Sequence, residues 1–190
     1  ISSNNGIGHT RWATHGGVTT ENAHPHLSPL GSVTIVHNGI IDNYTQLKDK
    51  LIGEGHIFIS ETDSEVIAHL VEKYIDLGPE KAVSKSLSLL NGTYGILFLF
   101  RDFPGLLIGA RNGSPLVIGI GKDEMFLASD AMAFRGFTQH AVFVDDGEMV
   151  ILNKNNYRII NRHNIEIDKT VEQLDNETGI HDKEGFSHYL

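Results

Sequence analysis

The sequence contains no cysteine and no apolar run near the roughly 20 residues that a membrane-spanning helix needs. Without cysteine it has neither a disulfide framework nor a thiolate zinc site, which agrees with a reducing compartment. The opening stretch ISSNNGIGHT lacks the basic flank and the apolar core of a secretory signal. We therefore predict a cytoplasmic protein that has no membrane partner.

Basic residues are also scarce, since 15 Lys and Arg stand against 24 Asp and Glu and give a formal net charge of -9. Proteins that bind nucleic acid gather basic side chains on one face, whereas here they are scattered, so no nucleic-acid partner is predicted. The remaining composition is ordinary, with 40% hydrophobic and 21% charged residues in 190. It predicts one compact globular domain.

Short runs rich in β-branched and aromatic residues predict more strands than helices. These runs are SVTIVHN (32–38), HIFIS (56–60), YGILFLF (94–100), GLLIGA (105–110), LVIGIG (116–121), MFLAS (125–129), AVFV (141–144), EMVIL (148–152) and YRII (157–160). Several are continuously apolar, which predicts strands that are covered on both faces. Turn sequences at 102–105, 121–124 and 145–148 predict antiparallel pairing.

Three helices are predicted between these strands. The first spans 44–51, the second begins at a capping box formed by Thr62 and Glu65, and the third runs from Pro79 to Leu90. Helices that pack against antiparallel sheets predict a layered architecture.

Eleven histidines raise the alternative of a metal site, because imidazole is a common metal ligand. His24 and His26 cannot share one helical face across Pro25, however, and no HExxH motif or thiolate accompanies them. Neither GxxxxGK[ST] nor GxGxxG occurs at the glycine clusters 6–8 and 119–122. We predict no metal and no other cofactor, and a histidine-rich metallohydrolase stays as an alternative enzyme class.

Four polar clusters lie next to strand-forming sequence. They are HTRWATHG (9–16), NAHPH (22–26), HNGIIDNY (37–44) and SETDSE (60–65). Polar side chains are costly to bury unpaired, so each cluster is expected near the end of a buried element, where a ligand could meet it. Taken singly, Asn38-Gly39 is typical of a turn, Asp63 of a helix start and Arg11 of a surface cation.

Together with LNGTYG (90–95) and ARNGSPLVIG (110–119), these clusters resemble one family in their order and intervals. It is the glutaminase domain of glutamine-fructose-6-phosphate aminotransferase (isomerizing), also called glucosamine-6-phosphate synthase, a class II glutamine amidotransferase. The resemblance implies an α+β fold, the four-layer αββα sandwich of N-terminal nucleophile hydrolases, which lacks its first strands in this chain. It also implies a glutaminase domain over 1–169 and a linker toward a sugar-isomerase domain over 170–190.

The resemblance further implies a glutamine site whose parts can be examined chemically. Glutamine carries a carboxylate, an ammonium and a carboxamide. Arg11 would grip the carboxylate through two parallel hydrogen bonds, with the hydroxyl of Thr14 beside it. Asp63 would pair with the ammonium, and the positive end of the predicted helix would stabilise its charge. Asn38 and Gly39 would form the oxyanion hole, glycine because no side chain then hinders the approach of the substrate.

Residues 6–16 are expected to form a strand that delivers Arg11 and then begins a loop over the substrate. Trp12 and His15 would exclude water from the closed site. The partners implied are glutamine, the sugar-isomerase domain and, in the full enzyme, a second copy.

The family nucleophile is a cysteine at the start of its mature chain, and this sequence begins at Ile1 and has none. We therefore expect the chain as written to be inactive, although it belongs to an enzyme that converts fructose 6-phosphate and glutamine to glucosamine 6-phosphate and glutamate. The alternative is a cysteine-free paralogue that acts as a glutamine sensor or partner-binding module.

Overall fold

The computed structural model describes residues 5–11 and 15–174, and all elements below belong to that part. The α-helices are α1 (Tyr44–Gly53), α2 (Glu65–Lys73) and α3 (Pro79–Leu87), and short 3-10 helices span Ile75–Leu77 and Ala131–Ala133. The strands are β1 (His26–Leu27), β2 (Val33–Ile41), β3 (Gly92–Phe100), β4 (Leu107–Asn112), β5 (Val117–Ile120), β6 (Met125–Ala128), β7 (His140–Phe143), β8 (Glu148–Leu152), β9 (Tyr157–Ile160), β10 (Glu166–Ile167) and β11 (Glu172–Gln173). In these ranges no helix has the length and apolarity to cross a membrane.

The strands form two antiparallel sheets. The first has seven strands in the order β1-β2-β3-β4-β8-β9-β10, and the second has four in the order β11-β7-β5-β6. Every strand predicted from the apolar runs is present except HIFIS. The turns at 102–105 and 121–124 close the β3–β4 and β5–β6 hairpins, as predicted.

The prediction for the third turn, 145–148, is wrong. Residues 145–148 follow β7 of the second sheet and lead to β8 of the first. They therefore connect the two sheets and do not close a hairpin. The amide of Gly147 donates to the carbonyl of Arg111, and the amide of Asp145 donates to the Glu148 carboxylate. The first bond holds the loop against the end of β4, and the second closes the loop onto the start of β8.

Two buried cores separate the layers. The larger core packs the helices onto one face of the seven-stranded sheet and includes Ile67 of α2, Val83 of α3 and Phe98 of β3. A second core, with Ile118 and Val150, fills the space between the sheets. The predicted burial of strands on both faces is therefore confirmed, as is the α+β sandwich. Phe134, after the second 3-10 helix, covers the outer face of the four-stranded sheet.

Residues 56–60 do not form the predicted strand. The amides of Ile59 and Ser60 donate to the carboxylate of Glu65, at 2.9 and 2.7 Å, rather than to a neighbouring strand. The same bonds overturn the predicted capping box, because Glu65 reaches back past Thr62 and Ser64 is the residue before α2. The buried Glu65 carboxylate thus accepts hydrogen bonds from two backbone amides that would otherwise be available to a neighbouring strand.

Two boundaries also differ from the predicted ones. Helix α3 ends at Leu87 rather than Leu90, and Ser88 is its last capping residue. Strand β11 lies inside the segment 170–190, and it pairs with β7 at the edge of the second sheet. The division of the chain into a domain and a linker stays a prediction.

Candidate active site

Strands β2 and β3 approach unusually closely at the end of β2. A Cβ on Gly39, whose φ is +132°, would lie 2.1 Å from the carbonyl oxygen of Thr93. A Cβ on Gly92, at φ +131°, would lie 2.1 Å from the carbonyl oxygen of Ile40. Asn38-Gly39 is therefore part of a strand and not a turn, and backbone packing alone already requires glycine at residue 39.

Arg11 lies in an irregular segment, so the strand predicted over 6–16 is wrong for the described residues. Its φ of +44° turns the backbone, and its amide donates to Nδ1 of His9 at 2.8 Å. Its guanidinium Nη2 donates to the carbonyl oxygens of His15 and Gly17, at 3.3 and 3.1 Å. Arg11, which is predicted to bind the glutamine carboxylate, is therefore itself a residue in the left-handed conformation and not part of a strand. Trp12 and Thr14 lie outside the described residues.

Asp63 is buried just before α2 and contacts the end of β2. Its Oδ2 accepts from the amide of Ile41 at 2.7 Å, and its Oδ1 lies 3.7 Å from Nδ1 of His15. The His15 ring packs edge-on against Tyr44, with the ring centroids 5.4 Å apart. Asp63 thus joins the end of β2 to the loop that carries Arg11.

The predicted site residues within the described ranges form one connected group. On one side, Nε2 of His9 lies 2.7 Å from Oδ1 of Asn38, and His9 also accepts from the Arg11 amide. On the other side, Arg11 reaches the His15 carbonyl, and the His15 ring faces Asp63. The exposed Asn38 carboxamide and the buried Asp63 carboxylate at the end of β2 are thus linked, through His9 and His15, to the loop that carries the Arg11 guanidinium.

Asn22 and Glu61 fix the loop after Arg11, and sequence reasoning did not single them out. The buried Asn22 side chain donates to the Gly17 carbonyl at 3.0 Å and accepts from the Glu61 amide at 2.8 Å. The Glu61 carboxylate in turn accepts from the Gly17 amide at 3.2 Å. Because Arg11 donates to the same Gly17 carbonyl, this network sets the position of its guanidinium. The clusters NAHPH and SETDSE contained both residues, but only their contact shows the role.

We expect Asn22→Ala to loosen this loop and to lower the free energy of unfolding by about 1 to 3 kcal/mol, because buried partners lose their hydrogen bonds. Hydrogen exchange of the Gly17 amide should become faster by more than the global loss of stability explains. Glu21→Ala, at the adjacent exposed residue, is the matched control. Unchanged Gly17 exchange in Asn22→Ala would show that the network does not hold the loop.

The side chain of Glu65 is buried with its hydrogen bonds satisfied. Burial by itself would raise its pKa, but hydrogen bonds from His69, from the Ser60 hydroxyl and from two backbone amides outweigh burial and lower the pKa to about 2. The carboxylate stays ionised and holds 59–60 against the start of α2. Its role is to shape the backbone beside Asp63.

Three histidine rings pack beside the site in a tilted pair and an edge-on pair. The ring centroids of His9 and His24 lie 4.2 Å apart, and those of His24 and His26 lie 4.7 Å apart. Burial, and after it the neighbouring His9, lower the pKa of His24 from 6.5 to about 3. Over the described ranges no three His, Cys, Asp or Glu side chains form a group that could hold a metal ion. Burial also lowers the pKa of His26, so His24 and His26 pack against each other as neutral rings.

Acid should destabilise the chain in two steps. The unfolded chain binds a proton at His24 near pH 6.5, and the folded chain binds it only near pH 3. Protonation of His24 therefore costs no free energy of unfolding above pH 6.5, and the free energy of unfolding falls as the pH decreases from 6.5 toward 3. Glu65 acts lower, because its stabilisation is present above pH 4.5 and falls toward pH 2.

Each such proton adds a slope of at most about 1.4 kcal/mol per pH unit. Urea unfolding measured from about pH 8 to about pH 2 covers both steps, and His24→Phe should flatten the profile below pH 6.5. The exposed His163→Phe serves as the control. A His24→Phe profile as steep as the parent's would refute the assignment.

The fold and this group of residues define a class. A sequence profile described as a glutamine amidotransferase domain matches residues 9–136, more than half of the chain. The chain belongs to this family of glutamine amidotransferase domains.

The relatives that this chain resembles in sequence belong to one kind of glutamine amidotransferase. The glutamine–fructose-6-phosphate aminotransferase (isomerizing) of Methanothermobacter thermautotrophicus is 46% identical over 97% of this chain and 32% of its own length. The enzyme of the same name from Pyrococcus horikoshii is 51% identical over 84% of this chain and 27% of its own length. The chain thus spans about a third or less of the relatives it matches, and the predicted resemblance is confirmed.

Solved structures agree with the predicted fold. The glutamine phosphoribosylpyrophosphate amidotransferase of B. subtilis, in complex with ADP and GMP, matches with a TM-score of 0.68 and 32% identity, over 81% of this chain and 34% of that chain. A structure described as the allosteric regulatory enzyme of purine biosynthesis matches with a TM-score of 0.70 and 34% identity over the same shares. The chain thus shares its sandwich fold with both solved structures.

Proposed function

We propose that this chain is the glutamine-binding and glutamine-hydrolysing part of an enzyme that makes glucosamine 6-phosphate from fructose 6-phosphate and glutamine. One observation carries the proposal: Asn38 and Asp63, which lie at the end of β2, are linked to Arg11 through His9 and His15 in one connected group. A cation, an anion and an amide donor complement the carboxylate, the ammonium and the carboxamide of glutamine. The released ammonia would pass to a sugar-isomerase domain, and two copies would associate in the full enzyme.

Each side chain has a role in this proposal. Arg11 would bind the substrate carboxylate in two parallel charged hydrogen bonds, each of about 1.5 to 3 kcal/mol. Oδ1 of Asp63 would face the ammonium, while its Oδ2 stays bonded to the Ile41 amide. The Asn38 amide and the Gly39 backbone N–H would stabilise the oxygen that becomes negative when the carboxamide is attacked. Trp12, Thr14 and His15 would cover the bound substrate.

A chimera tests the proposal. In it, this chain replaces the matching segment of the Methanothermobacter enzyme, which supplies the rest of the polypeptide. We expect the chimera to release glutamate from glutamine and to form glucosamine 6-phosphate from fructose 6-phosphate, with the unmodified relative assayed in parallel. A folded chimera that releases no glutamate would refute the proposal.

The 190-residue polypeptide itself should release no glutamate from glutamine, because it contains no cysteine thiol to attack the carboxamide. A coupled glutamate assay at increasing protein concentration, repeated after a second purification, measures this. Glutamate release that is proportional to this protein and survives repurification would contradict the expectation.

The second candidate is a glutamine sensor or partner-binding module, which would bind glutamine without hydrolysing it. Such a module would bind glutamine in calorimetry, but the chimera would not gain glutaminase activity from it. The two experiments together separate the candidates.

A further inference from the structure

His9 lies between the two ends of the candidate site and uses both ring nitrogens. Nδ1 lies 2.8 Å from the backbone nitrogen of Arg11, and Nε2 lies 2.7 Å from the side-chain oxygen of Asn38. The amide of Arg11 belongs to the peptide bond that follows Thr10, and the backbone of residues 9–10 directs it toward the His9 ring. Arg11 itself has a φ of +44°. A non-glycine residue in this conformation carries strain, which the His9 contact helps to offset.

These two contacts fix the proton on the ring. A backbone amide only donates, so Nδ1 of His9 must accept and cannot carry a hydrogen. The neutral ring therefore holds its hydrogen on Nε2, and that nitrogen donates. The atom of Asn38 that faces it must then be the acceptor Oδ1, which directs the Nδ2 amide group to the opposite side. A flipped carboxamide would set a donor against a donor.

We infer that His9 is a positioning residue that fixes which end of the Asn38 carboxamide faces the substrate. The inference rests on the proposed function, in which that amide group stabilises the developing oxyanion. The neighbouring rings support His9 in this place, since His24 packs against it and His26 lies 3.1 Å from the Thr62 hydroxyl beside α2. Asn38 itself is exposed on β2, and among the described residues its side chain makes no hydrogen bond other than the one to His9.

NMR of the 190-residue protein tests the positioning without any activity. At about pH 8 the ring nitrogen shifts of His9 should report hydrogen on Nε2, and the Asn38 amide group should be ordered. In His9→Phe, which keeps a ring against His24, the Asn38 amide group should become disordered, whereas the exposed His163→Phe should leave it unchanged. Hydrogen on Nδ1 in the parent protein would overturn the inference even if His9→Phe did not fold. An Asn38 amide that stays ordered in a folded His9→Phe would overturn it as well.

Kinetics of the chimera separate this inference from the proposed function. His9→Phe should lower kcat by about tenfold to a hundredfold, less than loss of the amide donor itself. In an Asn38→Ala background the same substitution should change kcat by less than about twofold, because the group it positions is gone. An undiminished effect in that background would refute positioning through Asn38. If Asn38→Ala alone left kcat intact, the oxyanion role would fail and the NMR result on orientation would still stand.

Discussion

Asn38→Ala in the chimera is expected to lower kcat for glutamine hydrolysis by about a hundredfold to a thousandfold, equivalent to about 3 to 4 kcal/mol. The KM for glutamine should change little, because an oxyanion-hole amide acts on charge that develops only in the transition state. Asn38 is exposed on β2, so its truncation leaves the sandwich cores intact. Steady-state rates of glutamate release measure both constants.

Arg11→Lys is the matched comparison, since it keeps the charge and removes the second parallel hydrogen bond to the carboxylate. We expect this variant mainly to raise KM, because the carboxylate is bound in the ground state and the transition state alike. The contrast between the two variants identifies the roles more sharply than either variant alone. Turnover that survives Asn38→Ala would show that another group stabilises the oxyanion.

Gly92→Ala should destabilise the 190-residue chain by about 3 kcal/mol or more. Two costs combine, because the new Cβ would lie 2.1 Å from the Ile40 carbonyl oxygen and the residue has a φ of +131°. The obstruction is backbone in a paired strand, which cannot rotate away as a flexible side chain could. Urea unfolding at neutral pH measures the change.

Gly53→Ala is the control, since a Cβ there meets nothing within 4 Å at the end of α1. It should stabilise the chain by about 0.5 to 1 kcal/mol, because alanine favours the helix and restricts the unfolded chain. A small loss for Gly92→Ala, comparable to that of an ordinary surface change, would mean that β2 and β3 do not depend on this close approach.

Apolar runs predicted most strands, because β-branched and aromatic residues are common in buried strands and can be recognised from a short stretch of sequence. EMVIL, for example, predicts β8, and all five of its residues are buried. The run HIFIS carries the same local signal, with Phe58 stacked on His69 while Ile57 and Ile59 are largely exposed. The Glu65 carboxylate binds the amides of Ile59 and Ser60, which are therefore not free to pair with a neighbouring strand. A competing side-chain acceptor leaves no periodic pattern in sequence.

The residues of the site could be predicted as types, because a guanidinium, a carboxylate and a carboxamide must be supplied to bind glutamine, and the motifs contain all three. Their geometry could not be predicted. Asn38-Gly39 reads locally as a turn, and it lies in a strand because Gly39 and Gly92 let two backbones meet from distant parts of the chain.

The sequence by itself determined the family, most of the strands and helices that form the layers, and the chemical groups available to bind glutamine. Tertiary structure alone decided which way those groups face. His9 and Asn22 show the reason, because their hydrogen bonds join Asn38 and the Arg11 loop to residues far apart in the chain. A hydrogen bond depends on the position of both partners, and only the packing of β2 against α2 and the loop before it brings these partners together.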